Sequence, residues 1–165
     1  MHLEDVLFYG MQTSLREIAK TPAEDRELPG AAGQWSPKDI IAHLTSFEDM
    51  LADLLGSLLE PRPTPVLDFY IRDHEGFNLS TVEQRRPLSW DQVLAEYREA
   101  FERSRDLLAR IPEDQRRQTG LLPWYGPEYD LEDFLVYSFY GHKREHSAQL
   151  AAFRDVRARE SGGTV

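Results

Sequence analysis

The chain reads as an all-α four-helix bundle, and three observations carry that reading. Apolar residues recur at helical spacing in four long stretches, near 3–20, 36–58, 90–111 and 131–158. Capping residues and prolines punctuate these stretches. No segment makes a convincing strand. Amphipathic helices of this kind bury one face each around a shared core. At 165 residues the chain suits one domain, 1–160, followed by a flexible tail, 161–165. No internal repeat, low-complexity block or second domain is visible.

The first helix carries Leu3, Val6, Leu7, Met11, Leu15 and Ile18 on one face, and Thr21-Pro22 stops it. A polar loop runs to Gln34. The second helix has the clearest start. Ser36 caps it, Pro37 suits its first position, and Asp39 completes a capping box. Its seam runs Ile40, His43/Leu44, Phe47, Met50/Leu51, Leu54 and Leu58, and Pro61-Arg-Pro-Thr-Pro65 ends it. Residues 66–85 hold one or two short helices crossing the bundle, interrupted at Gly76. The third long helix follows Ser89 and stops before Pro112, with Val93, Leu94, Tyr97, Phe101, Leu107, Leu108 and Ile111 as its stripe. The loop 112–130 is rich in proline, glycine and aromatic residues, and Arg116-Arg117 within it reads as solvated. Asp130 caps the fourth helix, whose seam is Leu131, Phe134/Leu135, Ser138, His142, His146, Gln149/Leu150 and Phe153.

Net charge is -10, with 29 acidic and 19 basic residues. That balance disfavours nucleic acid and anionic membrane as partners, because phosphates need clustered Lys and Arg. The chain has no cysteine, so disulfides, thiolate metal sites and a cysteine nucleophile are all excluded. Any thiol used in chemistry must be brought in. No apolar run is long enough to span a bilayer, and the acidic first residues do not read as a signal peptide. The expected setting is cytoplasmic.

Three histidines carry the functional signal. His142 and His146 sit one helical turn apart and share a face; His43 lies on the apolar stripe of the second helix. Buried imidazoles need partners, and one divalent metal satisfies all three at once. Neutral imidazoles suit Zn²⁺, with Ni²⁺, Fe²⁺ and Mn²⁺ feasible. Three protein ligands leave a coordination position open, as catalytic sites do. The alternative is that these are ordinary helix residues, since H-x-x-x-H also arises by chance. The zinc-protease motif is absent: Glu145 precedes the second histidine instead of following the first, and points about 100° away from it on the helix.

Glu48, five residues after His43, is a candidate catalytic residue that approaches a ligand imidazole or acts on bound water; the alternative is a solvated carboxylate. Tyr140 is the second candidate catalytic residue, lining the cavity together with Tyr137, with core packing as the alternative for both. Gln149 can hydrogen-bond within the seam. His2 and His74 match no ligand spacing and are read as incidental.

Trp35-Ser-x-Lys38-x-x-x-x-His43-Leu44 resembles the second-helix signature of the DinB-like four-helix-bundle superfamily. Gly141-His142-x-x-x-His146-x-x-Gln149 resembles its last-helix signature, and Asp73, Asn78 and Arg85 loosely fit its Asn-then-Arg connection. The resemblance spans essentially the whole chain. It implies an up-down-down-up bundle with a long crossover, containing the short helices, between the second and third helices. It also implies a divalent metal on the triad, commonly zinc or nickel, and homodimers. Relatives include thiol transferases that use mycothiol, bacillithiol or glutathione. The expected function is therefore a metal-dependent enzyme that activates a low-molecular-weight thiol, or water, against an electrophilic small molecule. The alternative is a non-catalytic dimeric bundle that binds a small molecule, with structural or absent metal. Tyr140, Phe47 and Trp124 are then pocket walls only.

Overall fold

The computed structural model describes residues 2–162. It is all-α: the described residues contain no strand, only an isolated bridge between Ala32 and Trp35. The long helices are α1 (Leu3–Ala19), α2 (Pro37–Leu59), α5 (Trp90–Leu108) and α8 (His142–Gly162). The expected crossing segment forms two short helices, α3 (Pro65–Arg72) and α4 (His74–Arg85). A single helical turn, α6 (Glu113–Arg116), lies in the loop after α5. The fourth expected helix is three pieces in unbroken succession: α7 (Leu131–Leu135), a π-helical turn (Val136–Gly141) and α8. α8 continues through Gly162, two residues into the stretch read as tail, and the rest of that stretch, 163–165, lies outside the described residues.

The expected caps form. Ser36 accepts from the Asp39 amide and the Asp39 carboxylate accepts from the Ser36 amide, with Pro37 at the first position. Ser89 and Gln92 make the same reciprocal pair on α5, as do Asp130 and Asp133 on α7. These boxes satisfy amides that helix starts leave orphaned.

α2 packs mainly on α5 and α1 on α8, while α3 and α4 lie against α2. α2 is the central element, buried on nearly every side from Pro37 to Gly56. The core is continuous, running from Leu3 and Leu7 through Ile40, Leu51 and Leu55 to Tyr97, Phe134 and Phe139. A polar thread crosses it, where Ser14 and Tyr97 share a hydrogen bond of 2.9 Å. Burial raises the Tyr97 hydroxyl well above the usual tyrosine range, and the Glu48 charge adds to this.

Arg116 is not solvated. It donates to the carbonyls of Ile111 and Leu108 at 2.9 Å each and pairs with Glu4 at 2.7 Å. It therefore closes the C-terminus of α5, where carbonyls lack helical partners, and ties it to α1.

Candidate metal centre

The signature around Trp35 has a separate physical reason for each residue. The Trp35 ring packs 4.7 Å from the His43 ring, and Ser36 caps α2. Lys38 is buried and donates to the carbonyls of Arg86 and Leu88 at 3.2 and 3.1 Å, with Glu27 as its counter-charge at 2.9 Å. The start of α2 is thus held against the α4–α5 connection, which fixes the position of His43.

His43, His142 and His146 converge. Nε2 of His142 lies 2.9 Å from Nε2 of His43 and 2.9 Å from Nε2 of His146. One ligand atom from each histidine lies within 4.8 Å of the other two. His146 Nδ1–H donates to Gln149 Oε1 at 2.8 Å, which leaves its Nε2 as a lone pair facing the cluster. Phe47 walls the cluster, with its ring 4.8 Å from His43 and 4.4 Å from His142.

Neutral rings cannot satisfy both nitrogen–nitrogen contacts. His142 Nε2 carries either one proton or one lone pair, so at most one of the two contacts is a sound hydrogen bond. A shared cation accepts all three lone pairs. Three Nε2 atoms held by one zinc ion lie about 3.3 Å apart, so each of the two 2.9 Å contacts would open by only about 0.4 Å.

The rings are kept neutral. Burial pushes His43 down to about 2, helped by the charges of His142 and His146. Burial likewise pushes His142 down to about 3, with His146 and Lys143 adding to it. His146 is lowered by burial, and its Gln149 bond opposes the shift. Neutral imidazole is the metal-binding form, so the free lone pairs persist well below neutral pH.

A cavity of about 330 Å³ adjoins the triad and exposes His43 and His142 at its base. Phe47, Tyr70 and Tyr137 give it apolar walls; His74, Asn78, Ser138 and Glu145 supply polar groups. A larger cleft of about 720 Å³ lies elsewhere, among Asp49, Asp53, Arg62 and Arg103. It holds none of the triad, so the chemistry favours the smaller cavity.

The family profile of the DinB superfamily matches residues 8–150. The chain belongs to the DinB superfamily. No curated protein and no solved structure matches it. In this DinB chain the signature histidines are the ones that converge, which makes a divalent metal site compatible with both the family and the geometry.

The two expected catalytic residues fall elsewhere. Glu48 is neither solvated nor a wall of the triad's cavity: its Oε1 accepts from Lys143 Nζ inside the core. Five residues along α2 turn its side chain about 140° from His43. Tyr140 lines a separate groove of about 380 Å³ with Val6, Tyr9 and Val136. Tyr137, three residues earlier in the π turn, lines the triad's cavity instead, together with Tyr70.

His74, Asn78 and Glu145 were not expected there. His74 and Asn78 are one turn apart on α4, and the His74 ring stacks 4.5 Å from Tyr70. That spacing was visible, but only the placement of α4 against α2 aims it at the cavity. Glu145 lies three residues after His142, a same-face spacing that was available in the sequence. Asp73 and Arg85 are structural: Asp73 caps α4, and Arg85 donates to Asp49 and Glu96 at 2.8 Å each.

Proposed function

We propose that this DinB chain holds one divalent metal ion on His43, His142 and His146 and works as an enzyme on a small electrophilic molecule. The observation that carries this reading is the meeting of three neutral Nε2 atoms that cannot satisfy one another. When bound, the ion supplies Lewis acidity that makes a small thiol, or water, nucleophilic near neutral pH. Zinc or nickel suits three imidazoles best. With no cysteine in the chain, a thiol nucleophile comes as a co-substrate.

The chain's own residues do the rest. Gln149 fixes the His146 tautomer, and Trp35 and Phe47 hold the His43 ring. Phe47, Tyr70 and Tyr137 form an apolar wall for an organic substrate. His74 and Glu145, at the cavity, are placed to exchange protons with it. The order up-down-down-up, with α3 and α4 in the crossover, is consistent with α2 packing on α5 and α1 on α8.

Metal analysis of tag-free protein beside the His43→Ala variant tests this reading. The expected result is about one zinc or nickel per chain, lost in the variant, with helical content retained. Absence of metal after reconstitution would overturn it. Metal-loaded protein is then screened for thiol conjugation and for hydrolysis.

A second reading, a dimeric bundle that binds a small molecule without catalysis, is favoured by one observation. Phe8, Tyr9 and Tyr137 are exposed large hydrophobics, and Tyr9 lines the groove beside Tyr140. Light scattering tests the dimer.

A further inference from the structure

We infer that the buried Lys143–Glu48 ion pair positions the metal centre: it pins α8 to α2 in the rotation set by the π turn, so that His43 meets His142 and His146. This rests on the metal reading above.

The pair sits where such a pin must sit. Lys143 follows His142 directly, and Glu48 lies on the same helix as His43. α2 packs mainly on α5 and α8 mainly on α1, so α2 and α8 meet chiefly through side chains. Two polar ties join them: the imidazole cluster and the bond from Lys143 to Glu48.

The burial of this pair needs a reason. Lys143 is 2% exposed and Glu48 is 0% exposed. Charges this deep carry a large desolvation penalty, and apolar residues of similar size often do as well for stability. Fixing the register of packed elements is the better-attested use of a buried polar pair. The carboxylate is held narrowly: Oε1 takes Lys143, and Oε2 has no partner among the described residues. Ser104 donates to the Glu48 carbonyl at 3.0 Å, so the backbone beneath it is fixed from α5.

The π turn explains why a lysine points inward at all. Before it the buried residues are Leu131, Phe134 and Leu135; after it they are Lys143, His146, Ser147 and Leu150, with Phe139 between. An extra residue in the turn slips the buried stripe by one position. Lys143 then enters the core, and His142 moves to the edge beside His43.

The test measures zinc affinity by chelator competition on tag-free wild type, on the double variant Glu48→Met/Lys143→Met, and on Glu48→Asp. Val93→Ala is the control for general loosening, because Val93 is buried on α5, a helix that carries neither member of the ion pair nor a triad histidine. The methionine pair keeps unbranched side chains of similar size and removes both charges, so it is expected to fold with near-wild-type Tm. Its zinc dissociation constant is expected to rise about tenfold or more, with a smaller rise in Glu48→Asp and none in Val93→Ala. Cobalt bound to the methionine pair should also lose tetrahedral absorption. Wild-type zinc affinity in the folded methionine pair would overturn the inference. If that pair does not fold, unchanged affinity in Glu48→Asp would do so. An equal loss in Val93→Ala would also overturn it, by showing nonspecific loosening. Failure of the wild type itself to bind zinc would strike the metal reading instead.

Discussion

Replacing Lys143 alone by methionine strands a carboxylate that has no exposed surface and no other partner for its Oε1. Such a group escapes its desolvation cost by taking up a proton. Protonating a glutamate at pH 7, against an ordinary value near 4.3, costs about 3.7 kcal/mol. That agrees with the roughly 3–5 kcal/mol seen when one partner of a buried pair is removed. For a chain of this size it lowers Tm by roughly 7–15 °C.

The origin of the cost sets its pH dependence. The folded variant holds a proton that the unfolded chain releases above about pH 4.3, so the folded state binds more protons and stability falls as pH rises. The deficit against wild type should therefore shrink to about 1.7 kcal/mol at pH 5.5. Urea unfolding followed by circular dichroism, on chelator-treated wild type and variant at both pH values, measures it. Taking the difference cancels the histidine titrations common to both. A deficit under about 1 kcal/mol at pH 7, or one equal at both pH values, would refute the reasoning by showing that Glu48 is not sealed without its lysine.

Three further outcomes are expected. Gln149→Leu removes the acceptor that orients His146, and should weaken zinc binding roughly 10–100-fold by chelator competition with Tm little changed. Stability of the metal-free wild type should fall as pH drops. His43 and His142 stay neutral in the fold, down to about 2 and about 3, while the unfolded chain protonates them below about 6.5. The unfolded state then binds more protons, so each histidine contributes up to about 1.4 kcal/mol of loss per pH unit in that window; a flat urea midpoint between pH 7 and 5 would contradict this. Deleting Tyr137, which is 67% exposed in the π turn, should restore a regular helix and rotate α8 by about 100° relative to α7; zinc binding should be lost while far-ultraviolet dichroism stays helical.

Much of the fold was legible because its signals are local. The pairs Ser36–Asp39 and Asp130–Asp133 are visible as short spacings, and the prolines after Leu59 and Leu108 mark the stops. The triad was legible for a related reason: histidines on apolar stripes are out of place unless something satisfies them. What sequence spacing could not supply is the relation between elements. Glu48 and Lys143 are 95 residues apart, and no periodicity links two charged residues on different helices. His74 and Asn78 become cavity residues only through the packing of α3 and α4 onto α2.

The π turn is where helical periodicity itself misleads, and the error falls at the site. Counting in steps of 3.6 from Leu135 puts His142 at the centre of the buried seam and Lys143 outside it. The structure reverses the two: Lys143 is buried and His142 half-buried. The turn holds no proline, and its one glycine, Gly141 at its end, does not by itself announce an extra residue per turn. The reversal matters chemically. A His142 at the centre of the seam would be closed off by packing on all sides, as in a structural site. At the edge it keeps its Nε2 on His43 and His146 while one side faces the cavity beside Tyr137 and Glu145. A triad that binds a metal and still presents it to a substrate needs that open side, and one inserted residue in the helix supplies it.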